Sequence, residues 1–143
     1  MIDYVKGDMF ESKCQVITNP INTVGVMGGG LARDFKERFP NCFQVYKEAL
    51  LNGNLSVGRP ILDTTSSPWI LLFPTKQDWR FDSKLEYIDW GLQYFVDNYE
   101  KWGIESIAFP MLGCGLGNLE NKYVLELFVD YLANLPIQVE IYR

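Results

Sequence analysis

Two stretches of this chain of 143 residues repeat one pattern: an apolar strand-like run, a glycine-rich loop, then a helix-like run. In the first, Gln15 to Thr18 leads through Asn19-Pro20-Ile21-Asn22 and Gly28-Gly29-Gly30 into Leu31 to Phe39, stopped by Pro40. In the second, Ser106 to Phe109 leads through Pro110 to Asn118 into Leu119 to Leu132. Strands that alternate with helices through short glycine turns point to an α/β fold. Glycine lets the backbone approach a ligand closely and take positive φ. The first amides of a helix lack intrahelical acceptors and carry its positive dipole end. Each junction therefore suits a phosphate, and two facing junctions suit a diphosphate. Neither loop is followed by GK[ST], and neither gives GxGxxG with a ribose-binding acid about 20 residues on. The bland alternative for three glycines in a row is a turn without chemistry; the second loop tips the balance away from it.

Composition narrows the functions open to the chain. Its length suits one domain with one core, residues 1–143. Histidine is absent, which removes Ser-His-Asp and Cys-His nucleophile activation and speaks against a catalytic zinc or iron site. Acid–base work then falls to Asp, Glu, Lys, Tyr, Cys or the substrate. Cys14, Cys42 and Cys114 are too scattered for a disulfide framework or a metal cluster. No metal and no cofactor is expected. A net charge of -5 opposes long tracking along a nucleic-acid backbone, but not a grip on one nucleotide or a chain end. No run is long and apolar enough for a membrane span and no signal peptide is evident. A cytoplasmic monomer without a membrane partner is the expectation.

The remaining chain supplies the layers. Met1 to Lys6 alternates as a first strand, with Gly7 to Phe10 turning after it and Glu11 to Cys14 as a connection. Asn41 is a plausible cap for a short helix from Phe43 to Asn52, ended by Gly53. Ile61 to Thr64 and Trp69 to Phe73 read as strands, the second apolar throughout and hence covered on both faces. Ser83, with Glu86 three residues on, reads as a capping box for a helix from Lys84 to Tyr99. That helix buries Leu85, Ile88, Leu92, Phe95 and Val96, and the last helix Val124, Leu125, Phe128, Val129 and Leu132. Ile137 to Tyr142 is the final strand. The succession fits a three-layer α/β/α sandwich with a mixed central sheet.

Individual side chains admit two readings. Asp8 is a helix cap or Asx turn, or a carboxylate for a base amino group. Lys76 stands where ligands lie in open α/β sheets, beyond a strand's carboxyl end; it is an amine for an anomeric carbon, or simply charge for phosphates. Trp79 and Arg80 stack on or grip the far side of a substrate, or Trp79 is a lid on the core edge. Cys114 is a packing residue, or a thiol activated by helix-end amides.

The set Gly7-Asp8-Met9, Asn19-Pro20-Ile21-Asn22, Val26-Met27-Gly28-Gly29-Gly30 and Gly113-Cys114-Gly115-Leu116-Gly117 resembles the macrodomain family, an ADP-ribose-binding fold. The motifs stand in family order over essentially the whole chain. Phe73-Pro74-Thr75-Lys76 with Trp79-Arg80 looks most like the sub-group of antitoxin ADP-ribosylglycohydrolases that act on modified DNA, with the terminal ADP-ribose protein glycohydrolases as neighbours. The resemblance implies that Asp8 takes the adenine amino group, with Gly7 and Met9 beside it. It implies that Asn22 holds the distal ribose, near Asn19 and Thr75. Gly28, Gly29, Gly30 and Leu31 would wrap the diphosphate against Gly113, Cys114, Gly115, Leu116, Gly117 and Asn118. Lys76 matches the catalytic lysine. One departure is Gly117, where the terminal protein glycohydrolase carries aspartate. The implied activity is removal of ADP-ribose from DNA bases or protein carboxylates. The alternatives are an ADP-ribose 1″-phosphate phosphatase and a non-catalytic ADP-ribose reader.

Overall fold

The computed structural model describes Met1–Arg143. Its strands are β1 (Ile2–Val5), β2 (Val16–Ile21), β3 (Ile61–Asp63), β4 (Trp69–Pro74), β5 (Ser106–Pro110) and β6 (Gln138–Tyr142). They form one sheet in the order β1-β6-β5-β2-β4-β3. Every neighbouring pair is parallel except β3 with β4. The helices are α1 (Gly30–Arg38), α2 (Pro40–Leu51), α3 (Leu85–Asn98) and α4 (Asn121–Leu132). This is the mixed three-layer sandwich expected.

Period-two alternation divides the central strands between two cores. Leu71 and Phe73 of β4 and Ile107 and Phe109 of β5 face α3 and α4, joining Ile88, Leu92, Phe95, Val124 and Phe128. Ile70 and Leu72 of β4 and Ile17 and Ile21 of β2 face α1 and α2, joining Phe35, Cys42 and Tyr46. Helix α3 lies so close to the sheet that a Cβ on Gly91 would collide with the Phe73 ring.

The sheet opens where the two cores meet. β2 pairs with β4 along its whole length, Val16↔Trp69 to Ile21↔Pro74. Its pairing with β5 stops after Ile17↔Ala108. Past that point β2 leads into α1 on one face, while β5 leads into α4 on the other. Adjacent strands whose connections leave in opposite directions create a crevice at their carboxyl ends. Pro20, Pro74 and Pro110, which cannot donate to a ladder, stand at those ends.

Several local expectations are corrected. β2 runs through Asn19-Pro20 to Ile21 instead of stopping at Thr18. Residues Met9–Glu11, expected to turn and connect, form a 3-10 turn capped by Asp8. α2 begins at Pro40, whose fixed φ and missing N–H suit a first helical position. Asn41 is therefore inside the helix, and its Nδ2 donates to Thr65 Oγ1 at 2.7 Å. Ser83 makes no capping bond to α3, which Lys84 precedes uncapped. The Ser83 N–H donates to Gly117 O at 3.0 Å, so its residue is turned to the second glycine loop. α4 starts at Asn121, not Leu119. Its Val129 is exposed, leaving Val124, Phe128 and Leu132 as the buried face.

Candidate functional site

The crevice between β2 and β5 is a cleft of about 650 Å³. Its lining comes from both glycine loops and from the segment after β4. Gly28, Gly29, Gly30 and Leu31 form one wall, Gly113, Gly115, Leu116 and Gly117 the other, and Asn22, Thr75, Lys76 and Trp79 the end between them.

The first loop is held by side chains. Asn22 is buried; its Nδ2 donates to Val26 O at 2.7 Å. Its Oδ1 accepts from the N–H groups of Val24 (3.1 Å) and Val26 (3.4 Å). One Nδ2 hydrogen is left for a ligand. Behind Asn22 stands Tyr46 of α2, wholly buried. Its hydroxyl lies 2.6 Å from Asn22 Oδ1 and 2.8 Å from Asn22 O, and accepts from the Gly25 N–H at 3.1 Å. Burial pushes its phenol up to about 12, so the hydroxyl keeps its proton. After this brace the chain runs extended through Gly29, and α1 begins at Gly30 with φ 56°. The first helical bond is from the Arg33 N–H to Gly29 O, which leaves the amides of Gly30, Leu31 and Ala32 beside the cleft without helical acceptors.

The second loop is held by close backbone packing. Gly113 has φ 74° and Asn118 φ 62°. The Leu119 N–H closes the loop on Gly113 O at 2.9 Å. A Cβ on Gly117 would collide with Gly113 O and the buried Ser83 hydroxyl. The aspartate of the terminal protein glycohydrolases has no room at this position in this loop. The Asn118 amide donates to Asp82 at 2.9 Å, on the outside.

Lys76 joins the two loops. The Thr75 N–H donates to Ile21 O at 2.8 Å and the Thr23 N–H to Gln77 O at 3.1 Å, fixing the backbone on both sides of Lys76. Lys76 Nζ donates to Leu116 O at 2.9 Å and to Trp79 O at 3.3 Å. Two of its three N–H bonds are thus used, and the third is free at the cleft end.

Other expected residues lie outside the lining. Asp8 is exposed and its Oδ1 accepts from the Phe10 N–H at 2.9 Å, the capping role. Gly7 is exposed beside it, and Met9 is core. Asn19 is buried beneath the first loop, its amide nitrogen 4.0 Å from the sulfurs of Met27 and Cys42. Arg80 is paired with Asp78 at 2.6 Å, and that contact holds the Asp78 carboxyl down to about 2. Cys114 donates weakly to Leu112 O at 3.6 Å, and burial pushes its thiol up to about 11. Burial thus opposes activation of this thiol, and α4, which begins at Asn121, offers it no helix-end amides.

The sequence reading missed Pro20, Ile21, Val26, Ala32, Pro110 and Met111 of the lining, and Tyr46 behind it. The first and fifth of these mark where strands end, and a proline in a strand run was the available signal.

The Macro domain family model matches residues 18–128. The chain is 41% identical to the DNA ADP-ribosyl transferase-DNA ADP-ribosyl glycohydrolase fusion protein of Thermosipho africanus, over 99% of this chain and 41% of that one. The structure titled Thermosipho africanus DarTG in complex with ADP-ribose superimposes with a TM-score of 0.95 at 43% identity, covering 99% of this chain and 41% of that chain. The macrodomain of Thermus aquaticus DarG superimposes with a TM-score of 0.94 at 36% identity, covering 100% and 98%. This chain spans about two fifths of the length of the Thermosipho africanus fusion protein and of the DNA ADP-ribosyl glycohydrolases it matches.

Proposed function

Because this chain belongs to the Macro domain family, we propose that its cleft binds ADP-ribose and that it hydrolyses the bond between C1″ of the distal ribose and an attached group, with ADP-ribosylated DNA as the leading substrate. The observation that carries this reading is Lys76 Nζ, tethered to Leu116 O at the cleft end with one N–H free.

The two loops have the chemistry of a diphosphate clamp. The amides that open α1 face anionic oxygens, and glycines on both walls admit the backbone to close range. The distal ribose then lies toward Asn22 and Lys76. As the C1″ bond to the leaving group breaks, positive charge builds on the sugar and negative charge on the departing atom. Lys76, a charged donor on two carbonyls, stabilises that departing atom. Water adds to C1″, one of its protons passing to the leaving group. In this reading Lys76 is a donor and not a nucleophile, since attack requires a free amine. Asn22 positions the sugar with its one remaining N–H while its other atoms shape the loop.

The test is a panel of ADP-ribosylated single-stranded DNA, glutamate-modified protein and ADP-ribose 1″-phosphate, each given to wild type and Lys76→Ala. Loss of one donor aimed at developing negative charge costs about 10²–10³ in rate, so the variant should release ADP-ribose from DNA at least about a hundredfold more slowly. Equal rates sink the lysine role. Phosphate release alone selects the phosphatase, and binding without turnover of any conjugate selects the reader.

A further inference from the structure

Exposed apolar side chains stand on all three loops that supply the cleft lining, and Val26, Trp79 and Leu116 are part of that lining. Of eleven large hydrophobics standing exposed, Val24, Val26, Trp79, Phe81 and Leu116 all belong to the three loops around the cleft. Trp79 is 55% and Phe81 67% exposed, on the same turn that carries Lys76. That turn is built to hold them outward. The Asp78 carboxylate accepts from the Arg80 N–H at 3.0 Å, and the Phe81 N–H donates to Asp78 O at 3.2 Å. Lys76 Nζ ties the Trp79 carbonyl inward at 3.3 Å.

Charge at the rim does not explain a partner. The three loops carry Lys76, Arg80 and Lys84 against Asp78, Asp82 and Glu120, so the rim is neutral. Arg80 is spent on Asp78, and the chain as a whole is at -5. A nucleic-acid substrate cannot be held here by phosphate neutralisation. Aromatic faces offer the other route, since every nucleobase has a face that stacks on Trp or Phe.

We propose that Phe81, continuing outward from Trp79, is a stacking platform for an unmodified base next to the ADP-ribosylated nucleotide, so that single-stranded DNA is recognised by ring contact and not by its phosphates. This rests on the hydrolase reading for the position of the modified nucleotide. It adds that the substrate is a strand and not an isolated nucleoside, and that the strand leaves the cleft over the Lys76 turn. Phe81 does not line the cleft, so its removal leaves the reacting end untouched.

The experiment compares an ADP-ribosylated nucleoside with the same nucleoside inside a short single-stranded oligonucleotide. Affinity is measured by displacement of a fluorescent ADP-ribose probe, and turnover is measured alongside. Wild type should bind the oligonucleotide more tightly. Phe81→Ala should lose about 5- to 150-fold of that affinity, the range for one stacked base, with nucleoside binding unchanged. Phe81→Leu, apolar but ringless, should behave like alanine, and Phe81→Trp like wild type. Raising salt from about 50 to about 200 mM should weaken oligonucleotide binding no more than about threefold, as for a single phosphate contact. Equal wild-type affinity for the two conjugates overturns the platform, and so does an unaffected Phe81→Ala. An effect confined to glutamate-linked ADP-ribosyl peptide overturns it in favour of a protein surface. Binding that ranks as stated without any turnover keeps the platform and removes the hydrolase reading, so the two fail separately.

Discussion

The two glycine loops face each other across one cleft, yet their glycines answer different demands. In the first loop Gly29 has space for a side chain, while a Cβ on Gly28 or Gly30 would stand 3.2 Å from Val26 Cγ1 or Leu116 Cδ1. A Cβ on Gly29 would meet Leu116 Cδ1 at 3.7 Å, ordinary contact, and its backbone is extended. The shape of that loop comes from elsewhere, through Asn22 and the buried Tyr46 hydroxyl. In the second loop Gly113 and Gly117 are the shape, while a Cβ on Gly115 would meet nothing. Gly113 needs positive φ and a Cβ there would come within 2.7 Å of Leu119 Cδ1, while Gly117 has no space at all. The same residue type thus leaves room for a ligand on one wall and permits the loop's own closure on the other. Similar motifs in sequence conceal that division.

Substitutions can break this contrast, and the largest effect belongs to the second loop. Gly117→Ala forces a methyl group onto Gly113 O and Ser83, an overpacking worth about 1–3 kcal/mol. The expected result is a lowered Tm together with loss of ADP-ribose binding; an unchanged melt would mean that the loop rearranges freely. Tyr46→Phe comes next. It keeps the ring in the core but leaves the Gly25 N–H and Asn22 Oδ1 without their buried partner. That costs about 1–3 kcal/mol, and it should weaken ADP-ribose binding more than Phe43→Leu, a neighbouring core change that leaves the loop's hydrogen bonds alone. Gly29→Ala should then separate the two walls. Its Tm should stay within about 0.5 kcal/mol equivalent of wild type, while calorimetry shows ADP-ribose affinity falling about tenfold or more, because the methyl group occupies ligand space. Parallel losses of stability and affinity would abolish the distinction.

The smallest effect is in alkaline solution. Burial first, and then the nearby Asp63 carboxylate, push the Cys42 thiol from 9.0 to about 12, and burial pushes Tyr46 from 10.0 to about 12. Both fold with their protons on, so their contribution is whole below pH 9. It is lost as pH rises from there toward about 12, where the unfolded chain has already ionised. Denaturant midpoints should be flat on this account up to pH 9 and fall above it. The Cys114 thiol, pushed to about 11 by burial, should react slowly with iodoacetamide at pH 8, and ADP-ribose should change that rate little.

Much of the fold was readable because hydrophobic periodicity is local. The apolar run at Trp69 to Phe73 reads as a doubly covered strand, and it is one. The pair of loops and Lys76 were legible for a similar reason, since each sits at the end of such a run. What escaped was set by neighbours distant in sequence. Ser83 reads as a helix cap until the second loop takes its N–H. Asn41 reads as a cap until Pro40 starts the helix and Thr65 takes its amide. Asn19-Pro20 reads as a break, yet β4 extends β2 through it to Ile21. Tyr46 looks like one more packing residue on an amphipathic helix. Only the fold reveals that its hydroxyl braces a loop more than twenty residues earlier.

The central claim concerns the distance between one amine and one sugar carbon. A crystal of this protein grown with ADP-ribose should show the diphosphate between the walls of Gly28 to Leu31 and Gly113 to Gly117. C1″ should then stand within about 4 Å of Lys76 Nζ, with the oxygen on C1″, which marks the place of the departing atom, within hydrogen-bond reach of that amine, about 2.6–3.2 Å. ADP-ribose bound elsewhere, or bound here with its distal ribose turned away from Lys76, would contradict the account.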